Sequence, residues 1–426
     1  LFRSLGKTAF ASRDEAEVSV DTMRDPVEES SSLSSKNSGG FRRHLGPLLL
    51  LTAIFFLNFT SRIIFAPLMP EIESGLRISH GEAGSMFFLL SLGYFFTLLC
   101  SGWVAARVTH RIIIILSSVM IGLTLIGTAL AGSLWAVRTA LLLLGIATGL
   151  YLPSGIATLT SLVESRHWGK ALSVHELAPN LGFVIAPLIS EAILLHFSWR
   201  AVPVLMGMAA FFLAAGFSRF GRGGLFTGVR PSIRSFAAFF SKPAFWIMMV
   251  LFGMGISSTL GLYTMLPLYL VTEHSLDRSL ANTLVAFSRI STIFIALLGG
   301  WASDRFGYRK TMIVVFLTTG IMTIGLGGAS TAAVLVLVFV QPMTAVCFFP
   351  AGFVALSRIG PPETRNIAVS LTLPAAFLIG GGAVPTVIGF MGDAVSFGQG
   401  IMLVGGFILG GAGLAYFLQG PSTEAR

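Results

Sequence analysis

Four ionisable side chains sit inside long apolar runs of this sequence: Arg62, Glu176, Glu191 and Arg289. A charge at membrane depth costs about 2.5–3.5 kcal/mol on insertion scales, so each of them needs a partner or a task. Arg62 has Asn58 one turn before it on the same face. Arg289 shares a face with Asn282 and Thr292, and Glu176 stands beside His175 with Asn180 one turn on. One arginine lies in each half of the chain. Guanidinium groups keep their charge and present forked donors that match a carboxylate or a phosphate, so Arg62 and Arg289 suit an anion held between the halves. Glu176 suits proton binding, pulled one way by desolvation and the other by a nearby arginine. His175 titrates near neutrality and is a candidate relay. A plainer account fits the same residues: buried arginines and glutamates pair within a bundle, and His175 is a satisfied polar group near a helix start. Tyr94, Tyr151, Tyr263 and Gln341 divide the same way between lining a cavity and bonding between helices. The 36 phenylalanines are expected to face lipid or packed neighbours.

The elements that must carry these residues are legible from composition. The 426 residues are 54% hydrophobic and only 11% charged, where a soluble domain has about 25% charged. A spanning helix needs about 20 apolar residues. Twelve such runs are expected, at 46–68, 82–106, 111–132, 135–163, 169–195, 200–219, 244–271, 278–303, 310–328, 330–356, 367–391 and 396–418. The fold class is therefore an all-α integral membrane protein of twelve transmembrane helices. The domain reading is a polar tail over 1–45, a six-helix bundle over 46–219, a basic amphipathic linker over 220–243 that lies on the membrane surface, a second bundle over 244–418 and a short tail over 419–426. The first tail lacks an early apolar core and does not read as a signal peptide; the first span is expected to target the chain and be retained.

The formal net charge of +9 is explained by topology. Every lysine, and most arginines, fall in connections on the side of the two tails; the other side holds Arg77, Arg138, Arg200 and Arg278. Both termini are thus expected in the cytoplasm, in a plasma or inner membrane, with the lipid bilayer and no nucleic acid as partner. The chain has no phosphate loop with its lysine, no nucleophile elbow and no His/Cys/Asp cluster with metal-ligand spacing. No enzyme, cofactor or metal is expected. Cys100 and Cys347 lie in apolar runs and define no disulfide framework.

The chain also repeats itself. A shift of 198 positions lays Gly102-Trp103 on Gly300-Trp301, Arg107 on Arg305, Arg111 on Arg309, Gly182 on Gly380 and Pro187 on Pro385. At 197, Pro153 and Gly155 meet Pro350 and Gly352. Two parallel six-helix repeats place a site at their interface.

The stretch Gly300–Lys310, GWASDRFGYRK, resembles the signature loop of the major facilitator superfamily, glycine-x-x-x-aspartate-arginine-x-glycine-x-arginine-lysine, between the second and third helices of a half. The first copy, GWVAARVTHR, departs from it, with Ala106 for the aspartate and Thr109 for the glycine. GFVIAPLIS (Gly182 to Ser190) is similar to the superfamily's antiporter-type motif with Ala186 for a glycine, and GIATGLYLPSG is similar to its fourth helix without the usual arginine. The resemblance implies alternating access around a central cavity. It implies a latch at Asp304, with Arg305 and Arg309 as partners, Gly300 allowing close helix packing and Gly307 a tight turn. Substrate contacts are then expected from Arg62, Arg289, Asn58, Tyr94, Asn180, Tyr263 and Gln341, and proton coupling from Glu176 and His175. The expected function is secondary active transport of a small organic or inorganic anion by a functional monomer, driven by protons or another coupling ion. A proton-driven drug or metabolite exporter and a transporter-like sensor or scaffold are the alternatives.

Overall fold

The computed structural model describes residues 44–230, 240–359 and 368–418, and the backbone alone of 40–43 and 365–367. Almost all of the expected first tail, the expected tail at 419–426 and linker residues 231–239 lie outside the described residues. Among the described residues, twelve helices are long and apolar enough to cross a membrane. They are α1 (His44–Leu76), α2 (His80–Ala105), α3 (His110–Leu130), α4 (Leu134–Leu162), α5 (Ser165–Leu194), α6 (Ala201–Phe220), α7 (Pro243–Thr272), α8 (Arg278–Phe306), α9 (Tyr308–Gly328), α10 (Thr331–Leu356), α11 (Ala368–Ala394) and α12 (Phe397–Tyr416). The start of α1 and the end of α12 lie on the same side of the bundle, called here the terminal side; the opposite side is the far side.

α1 continues well past its expected end at 68, because its prolines bend it without ending it. Regular helix is interrupted at Ile64, Leu150, Arg289 and Cys347; three of these, Ile64, Leu150 and Cys347, lie just upstream of a proline, Pro67, Pro153 and Pro350. A proline removes one backbone hydrogen bond and its ring pushes away the carbonyl four residues back. The breaks in α4 and α10 obey the 197-residue offset of the repeat. α7 and α11 each widen into a π turn, at Ser257–Gly261 and Leu378–Ala383, and the two turns meet through glycine. A Cβ on Gly380 would stand 2.5 Å from the Ser257 nitrogen, and one on Gly261 would run into the Gly380 carbonyl.

The repeat extends to the terminal-side caps. Arg111, at the start of α3, donates to the carbonyls of Phe217 (3.2 Å), Ser218 (2.9 Å) and Gly221 (2.7 Å) at the end of α6. Arg309, at the start of α9, donates to the Tyr416 carbonyl at the end of α12 and lies over the Tyr416 ring at 4.9 Å. Each arginine satisfies helix-end carbonyls and the negative end of a helix dipole. The expected pairing of Arg309 with Asp304 is therefore replaced by a cap on α12. Asp304 and Arg305 are exposed, and no hydrogen bond or ion pair joins Asp304 to the described residues. The first-half loop, without an aspartate, is strapped by the linker. Gly228 N–H donates to the Ala105 carbonyl (2.7 Å), His110 N–H to Phe226 (3.1 Å) and Arg111 N–H to Gly224 (2.8 Å). Gly223 and Gly224 have φ of 79° and 72°, which suits glycine. Linker residues 221–230 are thus an extended strap.

The signature loop turns at Gly307, with φ of 88°. Close packing falls on Gly299, where a Cβ would meet Cys347 Cα at 2.7 Å; at Gly300 it would meet only Pro350 Cβ, at 3.9 Å. The role expected of Gly300 belongs to its neighbour, because the helix turn points Gly299 at α10.

The hydrogen bonds and ion pairs that join the halves gather at the far end and the middle. Asp393 of α11 accepts from the backbone of His80 (2.9 Å) and Gly81 (2.8 Å) at the start of α2. Arg278 of α8 reaches Glu71 of α1 and Glu191 of α5. The far end is tied shut.

Two stability outcomes follow from the packing. Gly299→Val should lower the unfolding temperature by an amount equivalent to about 1–3 kcal/mol, while Gly300→Ala should change it little, both read by thermal unfolding in detergent; equal effects would contradict the assignment. Arg111→Gln should cost about 1.5–3 kcal/mol by the same assay, since it strips charged hydrogen bonds from helix-end carbonyls. A shift below about 0.5 kcal/mol would mean water serves those carbonyls as well.

Candidate functional site

Arg62 and Arg289 are 7% and 4% exposed and stand in the contact region between the halves. The Arg62 guanidinium lies over Tyr94 at 4.3 Å, Phe59 at 5.1 Å and Phe377 at 5.3 Å. Arg289 lies over Tyr263 at 4.9 Å and Phe183 at 5.0 Å. The rings also meet one another: Phe59 with Phe183 at 5.0 Å, Phe183 with Tyr263 at 4.8 Å and Tyr94 with Phe377 at 5.3 Å. Aromatic faces and guanidinium groups therefore form one continuous chain across the interface. A desolvated cation over an aromatic face gains about 2 kcal/mol or more, which offsets part of the burial cost.

Neither arginine forms an ion pair among the described residues, and each leaves its Nε buried with no hydrogen-bond partner. The plainer account, with buried arginines neutralised by Glu176 and Glu191, does not describe this arrangement. Arg289 donates to the Thr259 carbonyl at 3.1 Å, and Gln341 Nε2 donates to the Ser258 carbonyl at 2.9 Å and to Thr323 at 3.1 Å. Both carbonyls belong to the π turn of α7, whose widened ladder presents backbone acceptors to side chains; such turns recur at functional sites. Beside Arg62, a cavity of about 20 Å³ is bordered by Tyr94, Ser91, Leu260, Phe377 and Gly381, room for about one water.

The other expected residues divide. Tyr94 and Tyr263 are in the chain of rings, and Tyr263 also donates across the interface to the Phe183 carbonyl at 3.3 Å. Asn58 bonds to the Thr148 carbonyl of α4 at 3.1 Å, and Asn180 to the Glu176 carbonyl one turn back at 2.9 Å. Glu176 has a side chain 55% exposed, with His175 as its near neighbour. His175 is fully buried, stacked on Phe55 at 4.3 Å. Its Nε2 lies 3.1 Å from the Tyr151 hydroxyl, which in turn lies 2.8 Å from the Leu51 carbonyl. A carbonyl only accepts, so Tyr151 donates to Leu51 and accepts from His175. That arrangement puts the imidazole proton on Nε2. Nδ1 then stands without a hydrogen bond, 3.7 Å from Glu176 Oε1. Glu191 is elsewhere, at the far end against Arg278. The residues missed from the sequence are Phe59, Phe183 and Phe377. Phe59 was within reach, three positions before Arg62 on one helix face; Phe183 and Phe377 reach the arginines only through tertiary packing.

The family model described as Major Facilitator Superfamily matches residues 51–288 and 262–426. The chain is 23% identical over 342 residues to the membrane sensor protein UhpC of Escherichia coli (strain K12), covering 74% of this chain and 75% of that one. It is 21% identical over 409 residues to the probable L-galactonate transporter of the same strain, covering 89% and 90%. Its fold matches the crystal structure of a bacterial homolog of the human lysosomal transporter Spinster in an inward-facing and unoccupied conformation, with a TM-score of 0.76, 17% identity and coverage of 88% and 96%. Twelve spans, two related halves, the signature loop on α8–α9 and a family match along nearly all the spanning region agree: the chain is a membrane transporter for a small molecule, not an enzyme, and belongs to the Major Facilitator Superfamily.

Proposed function

We propose that this protein moves a small organic or inorganic anion by alternating access, with Arg62 and Arg289 as the anion-binding groups and Glu176 with His175 as the proton-coupling pair. One observation carries the reading: two deeply buried guanidinium groups, one from each half, have no carboxylate partner among the described residues and keep an unused N–H. Burial of charge at this depth is costly, and an anion bridging the two would neutralise both and draw the halves together. L-galactonate, the substrate in one relative's name, is a carboxylate, which supports the same charge. Tyr94 and Tyr263 flank the anion, while Asn58, Asn180 and Gln341 position the helices around it. The terminal side is the cytoplasm, the membrane is a plasma or inner membrane, and the working unit is a monomer. A second reading, a transporter-like sensor, is favoured by the relative named as a membrane sensor protein; it keeps the same anion site without net flux. The exporter alternative gains no support from the arginine pair.

In proteoliposomes, Arg62→Gln and Arg289→Gln should each abolish anion counterflow, at least a hundredfold for a lost buried charge–charge contact of about 3 kcal/mol, with thermal stability kept. Glu176→Gln should keep exchange and lose the response to an imposed pH gradient. Normal counterflow in both arginine variants would remove the anion site, and an intact pH response would remove Glu176.

The latch belongs to the same mechanism. Asp304 is free of the described residues while the far end is shut, which suits a latch that closes in the opposite facing state. Asp304→Asn should then shift the ratio of facing states by about two- to fivefold, the scale of one charge near a helix end, and Ala106→Asp should shift it less. Accessibility of cysteines placed at each end of the bundle measures both, and an equal shift would count against a latch resting on Asp304.

A further inference from the structure

The far-end ion cluster has more negative than positive charge. Arg278 donates through Nη2 to Glu191 Oε1 at 3.0 Å, through Nε to Glu191 Oε2 at 3.2 Å and through Nη1 to Glu71 Oε1. One guanidinium thus holds two carboxylates. Glu191 is 11% exposed at its side chain and Glu71 38%. Asn282, 1% exposed, donates from Nδ2 to Glu191 Oε2 at 3.1 Å and to the Pro67 carbonyl at 3.3 Å. Its Oδ1 is buried with no partner. Turned over, that amide would offer an acceptor to Glu191, a contact only a protonated Glu191 makes.

The four groups come from different halves. Glu71 on α1 and Glu191 on α5 belong to the first bundle, and these two helices pack together. Arg278 and Asn282 are on α8, in the second. Opening the far side separates the bundles, removes the guanidinium that pairs with both carboxylates among the described residues and its supporting amide, and leaves the two carboxylates together. Like charges so placed cannot both stay ionised as easily as one alone, and the pair takes up a proton as a unit.

We infer that Glu71 and Glu191 form a proton-binding site assembled by the opening of the far end, so that acid on that side holds the transporter open toward it. The inference rests on the alternating access of the proposed function and is independent of the substrate and of Arg62 and Arg289. The proton binds the open state: closed, both carboxylates are ionised on Arg278; open, one is protonated. Stability of the closed state is therefore present at neutral pH and lost as pH falls through the titration of the released pair. The other charged groups of this end act differently. Asp277 accepts from the Ser279 backbone at 2.8 Å and caps α8. Glu73 pairs with His80 at 3.0 Å within the first bundle, and Asp393 clamps the start of α2 from the second through the His80 and Gly81 backbone.

The test is a distance measurement. Spin labels on Leu195→Cys and Val395→Cys, exposed sites at the far ends of α5 and α11, are followed in nanodiscs from pH 8 to 5 by pulsed electron paramagnetic resonance, in a Cys100→Ser, Cys347→Ala background. The far-open population should grow on acidification, by up to tenfold per pH unit for one proton. Glu71→Gln, at a partly exposed position that tolerates the change, should move the midpoint down by a pH unit or more. Arg278→Gln should be open already at pH 8. A population that is constant or closes in acid, or a wild-type midpoint in Glu71→Gln, would each overturn the site. Counterflow, measured separately, reports on the anion site, so the two readings fail independently.

Discussion

The structure depends on two positive charges that no carboxylate among the described residues neutralises. Arg62 and Arg289 are buried as deeply as core leucines, yet only aromatic faces and one backbone carbonyl attend them. Ring quadrupoles return part of the lost hydration and no more. The remainder is carried by the surrounding packing, and it makes the interface between the halves electrostatically incomplete. Phe59 under Arg62 meets Phe183, which with Tyr263 lies under Arg289, so one run of ring contacts links the two guanidinium groups.

Closure of the far end is built from a different kind of contact. There the carboxylates of Glu71, Glu191 and Asp393 are matched by a guanidinium and by the first backbone N–H groups of α2. Such contacts are strong when dry and cheaply exchanged for water, which suits a surface that must part. Glycine provides the complementary property in the middle of the second bundle. Gly261 and Gly380 bring two π turns into backbone contact, and the carbonyls released there hold Gln341 and Arg289. The site is thus supported by backbone, not only by side chains.

The two halves keep one architecture with different fastenings. Arg111 and Arg309 cap the last helix of their own bundles at equivalent positions, although the surrounding loops have diverged. The loss of aspartate at Ala106 coincides with the linker strap over α2 and α3, where three backbone hydrogen bonds replace what a side chain would do. Asp304 has no such substitute and remains available.

Much of this was legible in the chain itself. Hydropathy alone marks the twelve spans, because unsatisfied backbone in lipid leaves helices as the one solution for such runs. The scarcity of intramembrane charge marks Arg62, Glu176, Glu191 and Arg289, and the repeat puts one arginine in each half. Partners were not legible. Asn58, Asn180 and Gln341 look alike in sequence to a cavity-lining group, and only packing shows that each is bonded to backbone. Glu191 looked like a mate for a central arginine, but Arg278 reaches it first. The close approach moved from Gly300 to Gly299, a difference of one residue that rotates the contact by about 100° around the helix. The sequence by itself determined which segments cross the membrane and which charges must be there. Which charge meets which ring, carbonyl or carboxylate was decided by the tertiary structure, because hydropathy is a property of a segment, whereas pairing depends on the rotation of each helix against its neighbours.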